Sequence, residues 1–352
     1  MRKQTVYILH KNGANSHYIG LRYLLEKQHI VLKYREFSVF GKMFKSAKKA
    51  DWKSFKKQWV NLFFLLFLLF RKDKKVVLGI APFDKKLKRL LPVLKNHQIY
   101  YHTSWTCWDK SFHPKKNKSE KIFKVWKDFL EEKTNHIFCV SKTSKQSLLE
   151  NYKIPSQKIS TVFHSVNPLF FKKSAQSKIP KSFIYIGRML PEKGIEELIG
   201  FFAAAENKAL QLSLIGSGKL ENLAEEAAKN NANISFTSHI ADKDKLVELL
   251  GKHEFLLLNS KKTRKWEELF GMVLIEAMAQ GVIPIAAKHS GPKEIITEKT
   301  GILFTEGKVE EAILKALELP EVTYKDLEKN GKEEAKNFSV KKIALNWQSI
   351  LD

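Results

Sequence analysis

The sequence predicts an α/β protein of two Rossmann-like domains facing across a cleft, and three observations predict it. The chain has 352 residues, more than one hydrophobic core usually organises. Short β-rich runs alternate with helical stretches in both halves, the pattern of parallel sheets with crossover helices. The polar stretch 172–181, with Ser, Gln, Pro and four lysines, separates the two sets and reads as a linker. These place an N-terminal domain at 1–175 and a C-terminal one at 176–335, with a terminal helix at about 336–352 that can pack back on the first.

In the first half, strands are expected at 5–9, 76–80, 99–102, 136–140 and 159–163. Strand 5–9 leads to the loop Gly13-Ala14-Asn15-Ser16-His17 and an amphipathic helix, where a phosphate or sugar could approach the backbone. The loop matches neither the Walker pattern nor Gly-x-Gly-x-x-Gly, which counts against ATP and nicotinamide. His102 ends strand 99–102 at the edge that binds ligands in such sheets. There a histidine can donate to a sugar hydroxyl or shuttle a proton, or simply be structural; His10 and His17 are weaker candidates of the same kind.

The run WVNLFFLLFLLF, 59–70, is uncharged and flanked by Lys56, Lys57, Arg71 and Lys72. Twelve helical residues reach about 18 Å against a hydrocarbon core of about 30 Å, too short to span. Two readings stand: a crossover helix buried on the sheet, or a patch that dips into lipid through Trp59, Phe63 and Phe64, assisted by the cations of 42–57.

In the second half, strands are expected at 183–186, 211–215, 234–236, 255–258, 282–286 and 301–304. Strand 183–186 runs into Gly187, Arg188 and onward to Lys193 and Gly194, placing two cations beside a helix amino terminus, a plausible diphosphate clamp. Strand 211–215 exits into a second glycine turn, Gly216-Ser217-Gly218-Lys219, at the same edge. After strand 255–258 comes a basic loop that includes Arg264 and Trp266.

The run EELFGMVLIEAMAQG, 267–281, is the most informative: from Met272 to Ala279 every side chain except Glu276 is hydrophobic. Glu276 is therefore expected to be buried, and a buried carboxylate needs the donors that sugar or ribose hydroxyls supply, or a structural cation. Glu268 lies eight residues earlier, about 12 Å along a continuous helix, a reach suited to two ends of an elongated ligand rather than one metal ion.

The net charge of +25 is uneven: residues 1–180 hold 38 Lys and Arg against 11 Asp and Glu, whereas 181–352 hold 24 against 26. The basic half is suited to anionic lipid, phosphate-bearing substrates or nucleic acid. A nucleic-acid-binding protein is the non-enzymatic alternative, but it leaves Glu268 and Glu276 unexplained. Two cysteines, Cys107 and Cys139, offer neither a disulfide framework nor a Cys-x-x-Cys pair. A reducing cytoplasm fits them, and the amino terminus carries no signal-peptide pattern.

Taken in order, FIYIGRMLPEKGIEELI from 183, LSLIGSGKL from 212, the Glu268 and Glu276 pair, GVIPIAAKHSGPKEII from 281 and TGILF from 300 resemble glycosyltransferase family 4, the retaining family with the GT-B fold. The first half resembles it more loosely, through the Gly13 loop with His17, YHTSW around His102 and the 138–171 segment. The resemblance implies a nucleotide-sugar donor and a cell-envelope glycan or glycolipid acceptor, such as lipopolysaccharide or capsule, without metal or cofactor. It implies catalytic roles for His102 and Glu268, and donor contacts from Gly13, Ala14, Arg188, Lys193, Gly216, Phe270, Gly271, Met272 and Glu276. His17, Trp59, Phe63 and Phe64 are expected at the acceptor or membrane side, on the cytoplasmic face of the cell membrane, and no nucleic-acid partner is expected. A nucleotide-sugar epimerase on the same fold is the alternative enzyme. Gly13-Ala14 departs from the family's frequent pair of glycines, and the loop 259–267 is longer and more basic than usual.

Overall fold

The computed structural model describes residues 4–11, 15–111, 119–172, 177–204, 209–264 and 266–352. It divides into two compact units, Met1–Ser165 with Lys341–Asp352, and Val166–Val340. Each is built on one parallel six-stranded sheet.

In the first unit the strands are β1 Thr5–His10, β2 Val31–Glu36, β3 Lys75–Gly79, β4 Gln98–Thr103, β5 His136–Cys139 and β6 Ile159–Thr161. Their order is β2-β1-β3-β4-β5-β6, all parallel. Strand β3 is buried along its whole length because helices cover both faces of a parallel sheet, so after Lys75 it reads as an apolar run. The edge strand β2, VLKYRE, is absent from the sequence expectation. Its alternating charges suit an edge half open to water and hide it among loops.

The helix Trp52–Leu69 does cross over before β3 and buries Gln58, Asn61, Phe64 and Leu68. Its opposite face leaves Trp52, Trp59 and Phe63 exposed, at 64%, 42% and 62% of their surface. Phe64, grouped from the sequence with the membrane contacts, is instead core: its ring lies 4.7 Å from Tyr7 of β1. Adjacent positions on a helix point about 100° apart, so Phe63 and Phe64 cannot share a role. Among the described residues no helix is long and apolar enough to cross a membrane.

The terminal segment belongs to this unit. Ile343, Trp347 and Ile350 enter its core with Tyr18, Tyr100 and Phe138, and Lys75 donates to the carbonyls of Ile350 and Leu351, each at 2.8 Å. An ammonium held by two carbonyls pins the chain end to the start of β3.

The second unit contains β7 Ser182–Ile186, β8 Gln211–Ile215, β9 Ile234–Thr237, β10 Phe255–Leu258, β11 Ile283–Ala287 and β12 Ile302–Phe304. The order is β12-β11-β10-β7-β8-β9, all parallel. It reverses direction between β7 and β10, and open α/β sheets bind ligands outside the strand ends at such a reversal. The unit begins ahead of the polar stretch 172–181. Asn167 caps the turn Pro168–Phe171, Phe170 is fully buried, and Gln280 donates to the carbonyls of Phe170 and Lys172 at 2.5 and 2.7 Å. An apolar anchor tied to a buried amide thus draws these residues into the second unit.

Candidate functional site

Beyond β7 the backbone turns through Gly187 while β8 exits through Gly216 and Gly218, with φ of +148° and +154° at the latter two. A Cβ on Gly216 would stand 1.7 Å from the Gly187 carbonyl oxygen, and one on Gly218 2.4 Å from that of Met189. The two turns therefore interlock through bare backbone, which only glycine allows. Met189 N donates to the Ser217 carbonyl at 2.9 Å across them.

The same strand continues to a short turn, Pro191–Lys193, closed by Gly194 in the left-handed region at φ +65°. Asn259, just past β10, donates to the Gly194 carbonyl at 3.1 Å and to Glu197 at 2.8 Å. This brace sets Lys193, which is buried. Its ammonium meets Glu268 at 2.5 Å and stands 4.4 Å over the Trp266 ring. The Ser260 hydroxyl donates to the same Glu268 oxygen at 3.3 Å. Arg188, the other expected clamp, is exposed at the strand end.

Glu268 is not on the helix with Glu276. That helix spans Met272–Ala279 and begins after Gly271, left-handed at φ +83°, so the 12 Å helical spacing does not apply. Gly271 breaks the chain direction and frees the first amides of the helix. Phe270, immediately before it, is buried. Gly291 N donates to the Glu268 carbonyl at 3.1 Å, and a Cβ on Gly291 would lie 2.3 Å from Phe270 N. Glu267 is instead structural, accepting from the Ser290 hydroxyl at 3.1 Å.

Glu276 is partly buried rather than sealed from water. Burial pushes its carboxyl up to about 7, with Lys243 the opposing influence. Its carboxyl makes no hydrogen bond or ion pair among the described residues. Such a group is costly until a ligand supplies donors.

The first unit carries a different cluster at its strand ends. His10 closes β1 and His102 lies in β4. Rings of Tyr18 and Trp347 lie 4.9 and 5.3 Å from His102, and the His17 ring lies 4.4 Å from that of His164, tilted by 41°. Burial, then the neighbouring imidazoles, holds His102 and His164 well below the ordinary histidine value, and burial chiefly brings His10 to about 4. These rings are neutral near pH 7. Gly79 makes room for them: a Cβ there would stand 2.2 Å from His10 Cδ2. His102 Nε2 and the Tyr18 hydroxyl are buried without a hydrogen-bond partner among the described residues, an arrangement that can receive ligand hydroxyls or water. Gly13 and Ala14 lie outside the described residues.

Sequence reasoning missed His164, Ser260 and His289. His164 sits in a quoted segment but carries no motif of its own. His289 is buried and donates to the Ser260 carbonyl at 2.7 Å, a role visible only when two loops meet. Among the described residues no three His, Cys, Asp or Glu side chains are grouped to hold a metal ion.

Comparison with known proteins bears mainly on the second unit. Residues 166–334 match the family model described as glycosyl transferases group 1. N-acetyl-alpha-D-glucosaminyl L-malate synthase of Bacillus anthracis is 26% identical over 212 residues, 56% of this chain and 54% of that protein. One subunit of the phosphatidylinositol N-acetylglucosaminyltransferase of Homo sapiens is 26% identical over 176 residues, 48% of this chain and 35% of that protein. The chain thus aligns with about half or less of the length of these curated relatives. Among solved structures, Anabaena HepE in complex with UDP superposes with a TM-score of 0.69 at 15% identity, covering 99% of both chains. The lipopolysaccharide outer core galactosyltransferase WaaB gives 0.62 at 16% identity, again over 99% of both. The fold is GT-B, two parallel-sheet Rossmann-like domains.

Proposed function

We propose that this chain is a retaining glycosyltransferase that moves a sugar from a nucleotide-sugar donor to a cell-envelope glycan or glycolipid. The observation that carries the reading is the Glu276 carboxyl, raised to about 7 by burial and lacking a hydrogen bond among the described residues, on the helix that opens at Gly271. A ribose diol supplies the two donors it lacks. The match of 166–334 to glycosyl transferases group 1, and the likeness to a fold seen with UDP bound in HepE, support it.

In this reading the second unit holds the donor. Arg188, Lys193 and the first amides of the helix Met272–Ala279 stabilise charge as it grows on the departing diphosphate, where fixed donors lower the barrier most. An ammonium has three donors, so Lys193 can keep Glu268 at 2.5 Å while also meeting a phosphate oxygen. Glu268 then faces the transferred sugar. Positive charge comes from these side chains, so no metal is required. In the first unit the neutral imidazole of His102 hydrogen-bonds a hydroxyl without adding charge. The acceptor hydroxyl attacks on the face the leaving group departs from and gives it its proton, which preserves the anomeric configuration.

Exposed Trp59 and Phe63 beside Lys53, Lys56 and Lys57 support attachment to an anionic membrane face, as the acceptor class requires. A thermal-shift screen of nucleotide sugars, followed by transfer to membrane extract in EDTA, tests the proposal. Stabilisation by a nucleotide sugar and a product with retained anomeric configuration are expected. An inverted product excludes the retaining mechanism, sugar conversion without acceptor points to an epimerase, and the absence of any stabilising nucleotide rejects the donor site.

A further inference from the structure

A cavity of about 330 Å³ opens beside β2, lined by the helices Val39–Lys48 and Trp52–Leu69 and the turn between them. None of its lining residues serves the proposed transfer. Its charged walls are Lys42, Lys45, Lys49, Lys57, Glu36 and Asp51. Both carboxylates are already engaged. Glu36 accepts from Lys42 at 2.8 Å, Lys57 at 2.7 Å and Gln58 at 3.1 Å. Burial works to raise its carboxyl, yet these partners hold it down to about 2. Asp51 caps the helix Trp52–Leu69 through Ser54 N at 3.0 Å.

Lys45 and Lys49 are left over. They lie four residues apart at the end of the helix Val39–Lys48, both exposed at the mouth of the cavity, with no carboxylate partner among the described residues. Like charges at this spacing repel, yet both line the same small space. The carbonyl end of the helix Val39–Lys48 and the amide end of the 18-residue helix Trp52–Leu69 both lie at this turn, so their dipoles oppose each other; the Ser54 hydroxyl is engaged with Asp51, and Ser46 on the wall supplies a neutral donor. The walls thus carry two more positive than negative charges around donors of both kinds.

We infer that this cavity is a binding site for a phosphate group, borne on a lipid head or on a small soluble ester. Its volume is at the low end for ligand pockets, about 300 to 1,000 Å³, which suits a phosphate and its nearest substituent rather than a nucleotide. The inference goes beyond the transferase reading and stands without it. Trp52, Trp59 and Phe63 on the outer face of the same helix give a lipid-borne phosphate an apolar surface nearby.

The test compares the chain with two double variants, Lys45→Ala with Lys49→Ala inside the cavity, and Lys121→Ala with Lys124→Ala, an exposed pair on the helix Glu120–Asp128 of the same unit whose loss removes the same charge away from the cavity and from the Trp59 face. Each is titrated with glycerol 3-phosphate at fixed ionic strength, and with phosphatidylcholine vesicles with and without phosphatidylglycerol; melting curves confirm folding. Loss of about tenfold in affinity is expected for the cavity pair alone. Loss in both titrations identifies the phosphate itself as the ligand, and loss with vesicles only identifies a lipid head. Equal loss in the two double variants, or no saturable binding of either probe, overturns the inference. UDP binding, measured in parallel, reports separately on the donor site.

Discussion

The two units share a parallel six-stranded plan, yet they place opposite chemistry at their strand ends. In the second, glycine turns interlock through bare backbone, Lys193 pairs with Glu268, and Glu276 carries a raised carboxyl with Lys243 as its opposing charge. In the first, His10, His102 and His164 gather beside Tyr18, all kept neutral by burial. The difference teaches that the sheet sets where a ligand can sit, while the loops set its charge. Cations and free amides suit a diphosphate; neutral imidazoles suit hydroxyls.

The sharpest way to break the contrast is to remove the backbone interlock. Gly216→Ala forces a Cβ to within 1.7 Å of the Gly187 carbonyl at a φ of +148°. It is expected to cost about 3 kcal/mol or more, read as a lowered denaturation midpoint, and to abolish nucleotide binding. A midpoint equal to wild type would show that the turns do not depend on each other. Next in size, Lys193→Ala is expected to slow transfer about 100-fold, the scale of losing one charge-stabilising donor. A double-mutant cycle with Glu268→Ala measures the coupling of the 2.5 Å pair; additive effects would separate their roles.

Acidity offers a third, smaller effect. The folded Glu276 carboxyl titrates at about 7 against an ordinary value of 4.5, so the folded state holds a proton the unfolded chain has lost. This contribution is present below about pH 4.5 and vanishes as pH rises through 7. Stability is expected to fall by about 2 kcal/mol across that window, after allowance for partial exposure, and Glu276→Gln is expected to flatten the curve. A slope that is identical in wild type and variant assigns the titration elsewhere. Least of all in stability, Phe63→Ser on the outer face is expected to change unfolding by less than about 0.5 kcal/mol while weakening vesicle binding. Unchanged vesicle binding would leave that face without a membrane role.

Much of this is legible in the residues alone. Fully buried parallel strands stand out as apolar runs, β10 throughout and β3 after Lys75, and Gly187, Gly216 and Gly271 punctuate the second unit where side chains cannot fit. Glu276 stands out because one charge in an apolar helix has few structural explanations. Other features depend on contacts that spacing does not encode. The run 59–70 is apolar on every face, so no period tells exposed Phe63 from buried Phe64. Edge strand β2 carries charges that look like loop. Glu268 reads as part of the helix because a single glycine is tolerated inside a helical run, so Gly271 alone does not show that the chain reverses there. The cavity beside Lys45 and Lys49 arises only when two helices and a strand end meet.

The central claim is tested most directly by calorimetric titration of wild type and Glu276→Ala with UDP and UDP-sugars. About a tenfold or greater loss of affinity in the variant, from two lost hydrogen bonds to a charged group, is the predicted result. Equal affinity in the two proteins would contradict it.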